Sequence, residues 1–241
     1  MIITSAHNDT LKEIRRLARR SARDRAGRFV AEGEDLIAEA RAHGWEPVTL
    51  LSAAGSGLPG IETDANLLAD VSSLGSGTRT IGIYETRWGA PSGPLCVSLH
   101  GVGDPGNVGA IVRSALAFGA ASVAFGPGCA DPFSPKAVRA SMGAVFAVPL
   151  AKVHGLHELP GETIALAAGR GDPLVGPPAG DATLLIGAER DGLPPEILAA
   201  ADRAAHIPIA FESLNAAMAA TVALYELTRD HPPSQHRITP P

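Results

Sequence analysis

The sequence predicts an α/β fold built in two parts, a small mixed α/β domain followed by a larger domain with a parallel sheet. Three observations carry that reading. The chain has 241 residues, more than one average domain of about 150 needs, and 45% of them are hydrophobic, enough to bury a core. From Leu95 onward, strand-like and helix-like hydrophobic runs alternate, as they do when helices cover a parallel sheet. Between the two parts, residues 86–94 (TRWGAPSGP) are dense in turn formers and read as a linker.

The first part, residues 1–85, reads α-β-α-β-α-β. Asn8, Asp9 or Thr10 can cap a helix whose apolar positions Leu11, Ile14, Leu17 and Ala18 recur at helical spacing. Arg28–Ala31 is a short strand. Glu34–His43 is a helix that turns Leu36, Ile37 and Ala40 inward and stops at Gly44. Pro47–Leu51 is expected to be a strand, Ala65–Ser73 a helix and Thr80–Tyr84 a strand.

The second part, residues 95–230, is more regular. Strands are expected at Leu95–Leu99, Ala121–Phe125, Phe146–Leu150, Thr163–Ala167, Thr183–Ile186 and Ala204–Ile209. Helices are expected at Asn107–Phe118, Pro135–Ala144, Pro194–Ala201 and Ser213–Arg229. In such sheets ligands bind beyond the carboxyl ends of the strands. The tail, residues 231–241, is expected to be disordered.

Composition excludes several classes. Two cysteines, Cys96 and Cys129, cannot make a disulfide scaffold. The N-terminal MIITSAHNDT has no apolar signal core, and no run of about 18 apolar residues occurs, so no membrane partner is expected and the place of work is the cytoplasm. Charge is uneven. Residues 11–28 hold eight bases and two acids, so that segment is +6 while the whole chain is −5. A local basic face is the electrostatic footprint of a nucleic-acid binder even on an acidic protein, although a solvated helix face would look the same.

Three segments can carry chemistry. The first, Leu99–Arg113, contains Gly101, Gly103 and Gly106 in G-x-G-x-x-G spacing between a strand and a helix. A dinucleotide site would also need an acidic residue at the end of the next strand, where Phe125-Gly126-Pro127 stands instead. A plain glycine-rich turn explains the glycines but not Asn107 and Arg113. As the helix cap, Asn107 would pin the loop. Arg113 interrupts an apolar run (Ile111, Val112, Ala115, Leu116), so partial burial with an anionic partner is expected. In the second segment, Leu184–Pro194, a strand ends in a glycine turn bearing Glu189, where Gly187 would let a ligand approach closely. In the third, Ile207–Asn215, Ser213 or Asn215 can cap an apolar helix. His154 and His157 stand three apart without a cysteine or carboxylate cluster, so no metal site is expected.

In this order the segments resemble the three motifs of the SpoU/TrmH family of RNA ribose methyltransferases, within the SPOUT superfamily. The first motif is similar to DPGNVGAIVRSA at Asp104–Ala115, the second to IGAERDG at Ile186–Gly192, and the third to IPI…SLNAAMA at Ile207–Ala219. PKAVRASMGAVFAVP at Pro135–Pro149 also resembles the family, and the arginine helix with RFVAEGEDLI at Arg28–Ile37 is similar to its substrate-binding domain. The resemblance implies a catalytic domain with a trefoil knot, working as a homodimer. It implies S-adenosylmethionine held by backbone around Gly187, Ile207 and Leu214, and RNA held by Arg15, Arg16, Arg19 and Arg20. It implies Arg113 at the reacting 2′-oxygen, as base or as electrostatic stabiliser, with Asn107, Glu189, Ser213 and Asn215 orienting it. The front domain points to ribosomal RNA over transfer RNA. Two departures fall near the implied cofactor site: residues 209–213 run about two residues shorter than the family's usual length and carry Phe211, and Ala216-Ala217 replace β-branched or hydroxyl residues. A non-catalytic RNA-binding protein of this fold and a dinucleotide-dependent oxidoreductase stand as the competing readings.

Overall fold

Leu11, Ile14 and Leu17 do form one buried helix face. The structure, a computed structural model that describes residues 2–75, 77–210 and 213–230, places them in α1 (Asp9–Leu17), capped by the Asn8 side chain on the Thr10 amide at 2.9 Å. The 231–241 tail and Phe211 lie outside the described residues. The basic segment is two helices, because the chain breaks at Ala18-Arg19 before α2 (Arg20–Ala26). Gly27, in the left-handed region at φ 62°, turns the chain into β1 (Arg28–Glu32). There follow α3 (Glu34–Ala42), β2 (Thr49–Ala53), β3 (Ile61–Thr63), α4 (Ala65–Val71) and β4 (Thr80–Glu85). The four strands form a sheet ordered β1-β4-β2-β3, with β1 and β2 antiparallel to β4 and β3 parallel to β2. The sequence pattern missed β3, whose three residues are too few to show a period.

The rest of the chain runs β5 (Leu95–Leu99), α5 (Pro105–Ala117), β6 (Ser122–Phe125), α6 (Pro135–Ala140), α7 (Ala144–Ala147), β7 (Leu150–Lys152), β8 (Glu162–Leu166), β9 (Asp172–Pro173), β10 (Ala182–Ile186), α8 (Pro195–Ala200), β11 (Arg203–His206) and α9 (Ala216–Thr228). Seven strands make one parallel sheet in the order β7-β6-β5-β10-β8-β11-β9. Every residue of β5, β6 and β10 is buried, which is why these strands read as continuous apolar or small-residue runs rather than alternating ones. Two expectations are corrected. Phe146–Leu150 is not a strand: α7 holds Phe146, whose amide bonds the Gly143 carbonyl at 2.9 Å, and β7 starts only at Leu150, after Pro149. The helix expected at Pro135–Ala144 ends at Ala140, because Met142 (φ 49°) and Gly143 (φ 91°) turn the chain.

Spatial grouping does not follow chain order. One compact unit contains the chain up to Trp88 together with Asp104–Arg113 and Ala130–Ala147; the other contains Gly89–Gly103, Ser114–Cys129 and the chain from Val148 onward. In the first unit the small sheet has two cores. Val30, Leu51, Ile81 and Ile83 pack on Leu11, Ile14, Leu17 and Leu68 from α1 and α4. Residues one position away point to the other face, as strand period requires. There Phe29, paired in register with Tyr84, meets Phe133 at a centroid distance of 4.7 Å and Phe146 at 5.8 Å. The Trp45 indole donates to the Phe146 carbonyl at 2.8 Å, and Trp88, from the expected linker, stands edge-on to Phe133 at 5.1 Å. Arg23 fixes α2 to this unit. It is 4% exposed, donates to Asp131 at 2.7 Å, and bonds the carbonyls of Leu17 and Ala18 at 2.8 and 3.0 Å. It is therefore one of the eight bases of residues 11–28 that does not face solvent.

Candidate functional site

In the parallel-sheet unit a cavity of about 350 Å3 opens at the carboxyl ends of β8 and β10 and just past β11. Its lining comes from four places. Leu166, Ala167 and Ala168 end β8; Ile186 to Arg190, with Gly192, continue β10; Ile207 and Ile209 follow β11; Ser213, Leu214, Ala216 and Ala219 lead into and form the first turn of α9. The position is the one expected of a ligand site in a parallel α/β sheet. The walls are mostly aliphatic and backbone, with Glu189, Arg190 and Ser213 as the polar groups.

The chain shapes this cavity through its turns. After β10, Ala188 and Gly192 pair through two backbone bonds of 3.0 Å, which holds Glu189, Arg190 and Asp191 at a hairpin tip. Gly187 is essential to that hairpin. A Cβ there would lie 2.1 Å from the Gly192 carbonyl carbon and 2.3 Å from the Leu193 nitrogen. Its missing side chain makes room for the Gly192–Leu193 backbone, while Gly187 itself lines the cavity. Of the two candidate caps of α9, Asn215 fills the role, accepting from the amides of Ala217 at 2.9 Å and Met218 at 3.3 Å; Ser213 stays on the cavity lining.

The structure thus brings Gly187, Glu189, Ile207, Ser213 and Leu214 to one cavity, with Asn215 capping the helix beside it. Sequence reasoning missed Leu166 to Ala168, Arg190 and Ala219. The end of β8 carries no motif; only its place beside β10 and β11 marks it.

Asn107 and Arg113 belong to the other unit, on α5. Asn107 is not the cap. Asp104 caps α5 by accepting from the Asn107 amide at 3.0 Å, and Pro105 takes the first helical position, where no donor is needed. The Lys136 ammonium, 2.7 Å from Asp104, and the backbone amides of Asn107 and Gly106 hold the Asp104 carboxyl below the usual carboxylate range. Gly109 lets α5 approach α6: a Cβ would lie 2.3 Å from the Ala137 carbonyl oxygen and 2.7 Å from the Ala140 Cβ. Arg113 is exposed and makes no ion pair among the described residues, which corrects the expectation of a partly buried, paired arginine. Position explains it. The buried stripe of α5 is Val108, Ile111, Val112 and Ala115, and Arg113 falls off that stripe beside exposed Leu116 and Ala117.

On α1, at the break and at the start of α2, Arg15, Arg16, Arg19 and Arg20 are all exposed. Arg15 is paired with Asp70 at 2.8 Å and Arg20 stands 3.8 Å from Asp24. Arg16 and Arg19 have no ion pair among the described residues. No group of three or more histidine, cysteine or acidic side chains suited to a metal occurs among the described residues.

Comparison with known proteins fits this geometry. Residues 94–225 match the SpoU rRNA Methylase family, and residues 8–75 match the MRM3-like substrate binding domain. A 23S rRNA (uridine(2479)-2′-O)-methyltransferase of Streptomyces viridochromogenes is 32% identical over 93% of this chain and 90% of its own. Uncharacterized tRNA/rRNA methyltransferases of Mycobacterium tuberculosis are 37% identical over 59% of this chain, which spans about half of their length (53%). The crystal structure of an AdoMet-bound rRNA methyltransferase from Sinorhizobium meliloti superposes with a TM-score of 0.86 at 30% identity, covering 96% of this chain and 98% of that one. Motifs, cavity and relatives agree, and the chain belongs to the SpoU rRNA methylase family.

Proposed function

We propose that this protein transfers a methyl group from S-adenosylmethionine to a ribose 2′-hydroxyl of RNA, with ribosomal RNA preferred over transfer RNA. The observation that carries the reading is the cavity at the ends of β8, β10 and β11, built by the second and third of the family's motifs. The cofactor is a flat purine nucleoside joined to a charged amino-acid tail. Leu166, Ile186, Ile207 and Leu214 offer an apolar slot for the first, and the polar lining around Glu189, Arg190 and Ser213 suits the second. The size, about 350 Å3, lies within the usual range for such ligands, about 300–1,000 Å3.

When bound, the cofactor supplies an electrophilic methyl group. The chain's own task is to bring a weak nucleophile into line and to support the charge it develops. This reading gives that role to Arg113. A guanidinium stays protonated in proteins, so Arg113 acts as a fixed positive charge beside the 2′-oxygen while the proton passes to solvent. Asn107, Glu189, Ser213 and Asn215 orient that arginine, the ribose and the motif loops. Arg16 and Arg19, exposed and without ion pairs among the described residues, lead the phosphate contacts, with Arg15 and Arg20 beside them.

The same reading includes a homodimer, the trefoil-knotted threading and a cytoplasmic place of work. Support for the homodimer comes from α9, where Met218 (63% exposed), Val222 (41%) and Tyr225 (55%) form one apolar face at helical spacing. The test of the activity is transfer of labelled methyl groups to unmodified ribosomal and transfer RNA, followed by nucleoside analysis. A 2′-O-methylated nucleoside from ribosomal RNA is expected. Label in transfer RNA alone would reassign the substrate, and a base-methylated nucleoside or no transfer would overturn the reaction.

A further inference from the structure

Met142 is the one non-glycine residue with a positive φ, 49°, among the described residues, and the residue is 55% exposed. The left-handed region presses a Cβ against the following carbonyl oxygen, so a branched or bulky residue there needs support from its surroundings. The corner supplies it. Ser141 is buried, donates through Oγ to the Val138 carbonyl at 2.7 Å and accepts from the Val145 amide at 3.4 Å. Gly143, at φ 91°, sits so close to α3 that a Cβ would lie 2.6 Å from Glu39 Cγ. The result is a fixed corner that holds an unbranched, polarisable side chain out into water. Three residues earlier, Arg139 is exposed and has no ion pair among the described residues. Across the helix contact, Gly109 of α5 rests on Ala137, Ala140 and Ser141, and Arg113 follows Gly109 by one turn on the same face.

We propose that Met142 and Arg139 form a nucleotide-binding corner for the RNA substrate. The Met142 thioether lies against the face of an unstacked base at the target ribose, and Arg139 pairs with the adjoining phosphate. The inference rests on the RNA reading above. Its chemistry is general: single-stranded RNA is recognised through splayed bases lying on flat or polarisable side chains, methionine adapts to such faces, and apolar wedges hold bases out of a stack. More than half of the Met142 surface is open to a ligand, on a backbone turn that favours glycine.

The test exploits the strain. Met142→Gly removes the side chain and relieves the backbone, so its unfolding midpoint is expected at or above that of the unaltered protein. Its cofactor affinity and sedimentation should not change, while KM for RNA rises about tenfold; Met142→Leu should restore most of the loss. Arg139→Ala should weaken RNA binding and lower the salt slope by about 0.7–0.9. RNA affinity by filter binding, read beside turnover, keeps the two claims apart. No turnover by the unaltered protein would overturn the methyltransferase reading, and the corner would still be judged by affinity. RNA affinity within twofold of the unaltered protein in both Met142→Gly and Arg139→Ala overturns the corner. A changed sedimentation in Met142→Gly also overturns it and assigns Met142 to contact with a second copy.

Discussion

The unit around the small sheet and the unit around the parallel sheet are stabilised and equipped differently. In the first, specific side chains meet: an aromatic group on Phe29, a buried guanidinium pair at Arg23–Asp131, and a tyrosine, Tyr84, whose burial pushes its hydroxyl up to about 12 and whose oxygen has no hydrogen-bond partner among the described residues. In the second, small and aliphatic residues fill the strands, and the cavity is shaped by backbone at Gly187, Gly192 and the strand ends. On the proposed reading, a flexible polyanion is met by the exposed arginines of the first unit, and a compact cofactor by the cavity of the second. The two units should therefore fail in different ways when altered.

The largest contrast is expected from Gly187→Ala. Its Cβ would collide with the Gly192–Leu193 backbone, open the Ala188–Gly192 pairing and distort the slot. Cofactor affinity by calorimetry should fall at least 100-fold while RNA affinity stays within about threefold; equal losses of both would erase the distinction between the units. Next is Arg23→Ala, which leaves Asp131 buried without its cation. Breaking a buried pair this way costs about 3–5 kcal/mol, seen as a lower unfolding midpoint in urea, and Arg23→Met should recover part of it. A cost below about 1 kcal/mol would show that the pair is water-accessible and does not organise its unit. Smaller still is Arg16→Ala with Arg19→Ala. Stability should hold within about 0.5 kcal/mol, and the salt slope of RNA binding should fall by about 1.4–1.8 for two lost phosphate contacts. An unchanged slope would make α1 a solvated face. The smallest effect concerns pH. The Asp104 carboxyl sits below its ordinary value, so its contribution as cap of α5 is present above that value and fades as pH falls through the lower, folded one. Asp104→Asn should flatten the acid limb of the stability profile slightly; a profile identical to that of the unaltered protein would remove Asp104 from it.

Much of this was legible in the sequence, for identifiable reasons. The central strands β5 and β10 are continuous apolar runs because both their faces are covered, and α1 shows its period because one face is solvated. The cavity residues Gly187, Ile207 and Leu214 fall in segments where strands end in turns. What was not legible depended on partners distant in sequence. The 130–147 segment joins the small sheet through Arg23–Asp131, Phe29–Phe133 and Trp45–Phe146, and nothing local at those positions announces it. Arg23 looks like its exposed neighbours until Asp131 is in place. Phe146 sits in a β-like string, and only the turn at Met142-Gly143 places it in a helix. The exposure of Arg113 followed from which stripe of α5 is buried, and the apolar residues on both sides of it hid that stripe.

Arg113→Ala is the measurement that reaches the centre of the account. Cofactor affinity by calorimetry and single-turnover methyl transfer to ribosomal RNA would be read on the same preparation. Cofactor affinity is expected within about twofold of the unaltered protein and the transfer rate lower by a factor of about 100–1,000, the loss that follows removal of one group stabilising a developing oxyanion. Transfer at an undiminished rate would remove Arg113 from the reaction and contradict the proposed chemistry.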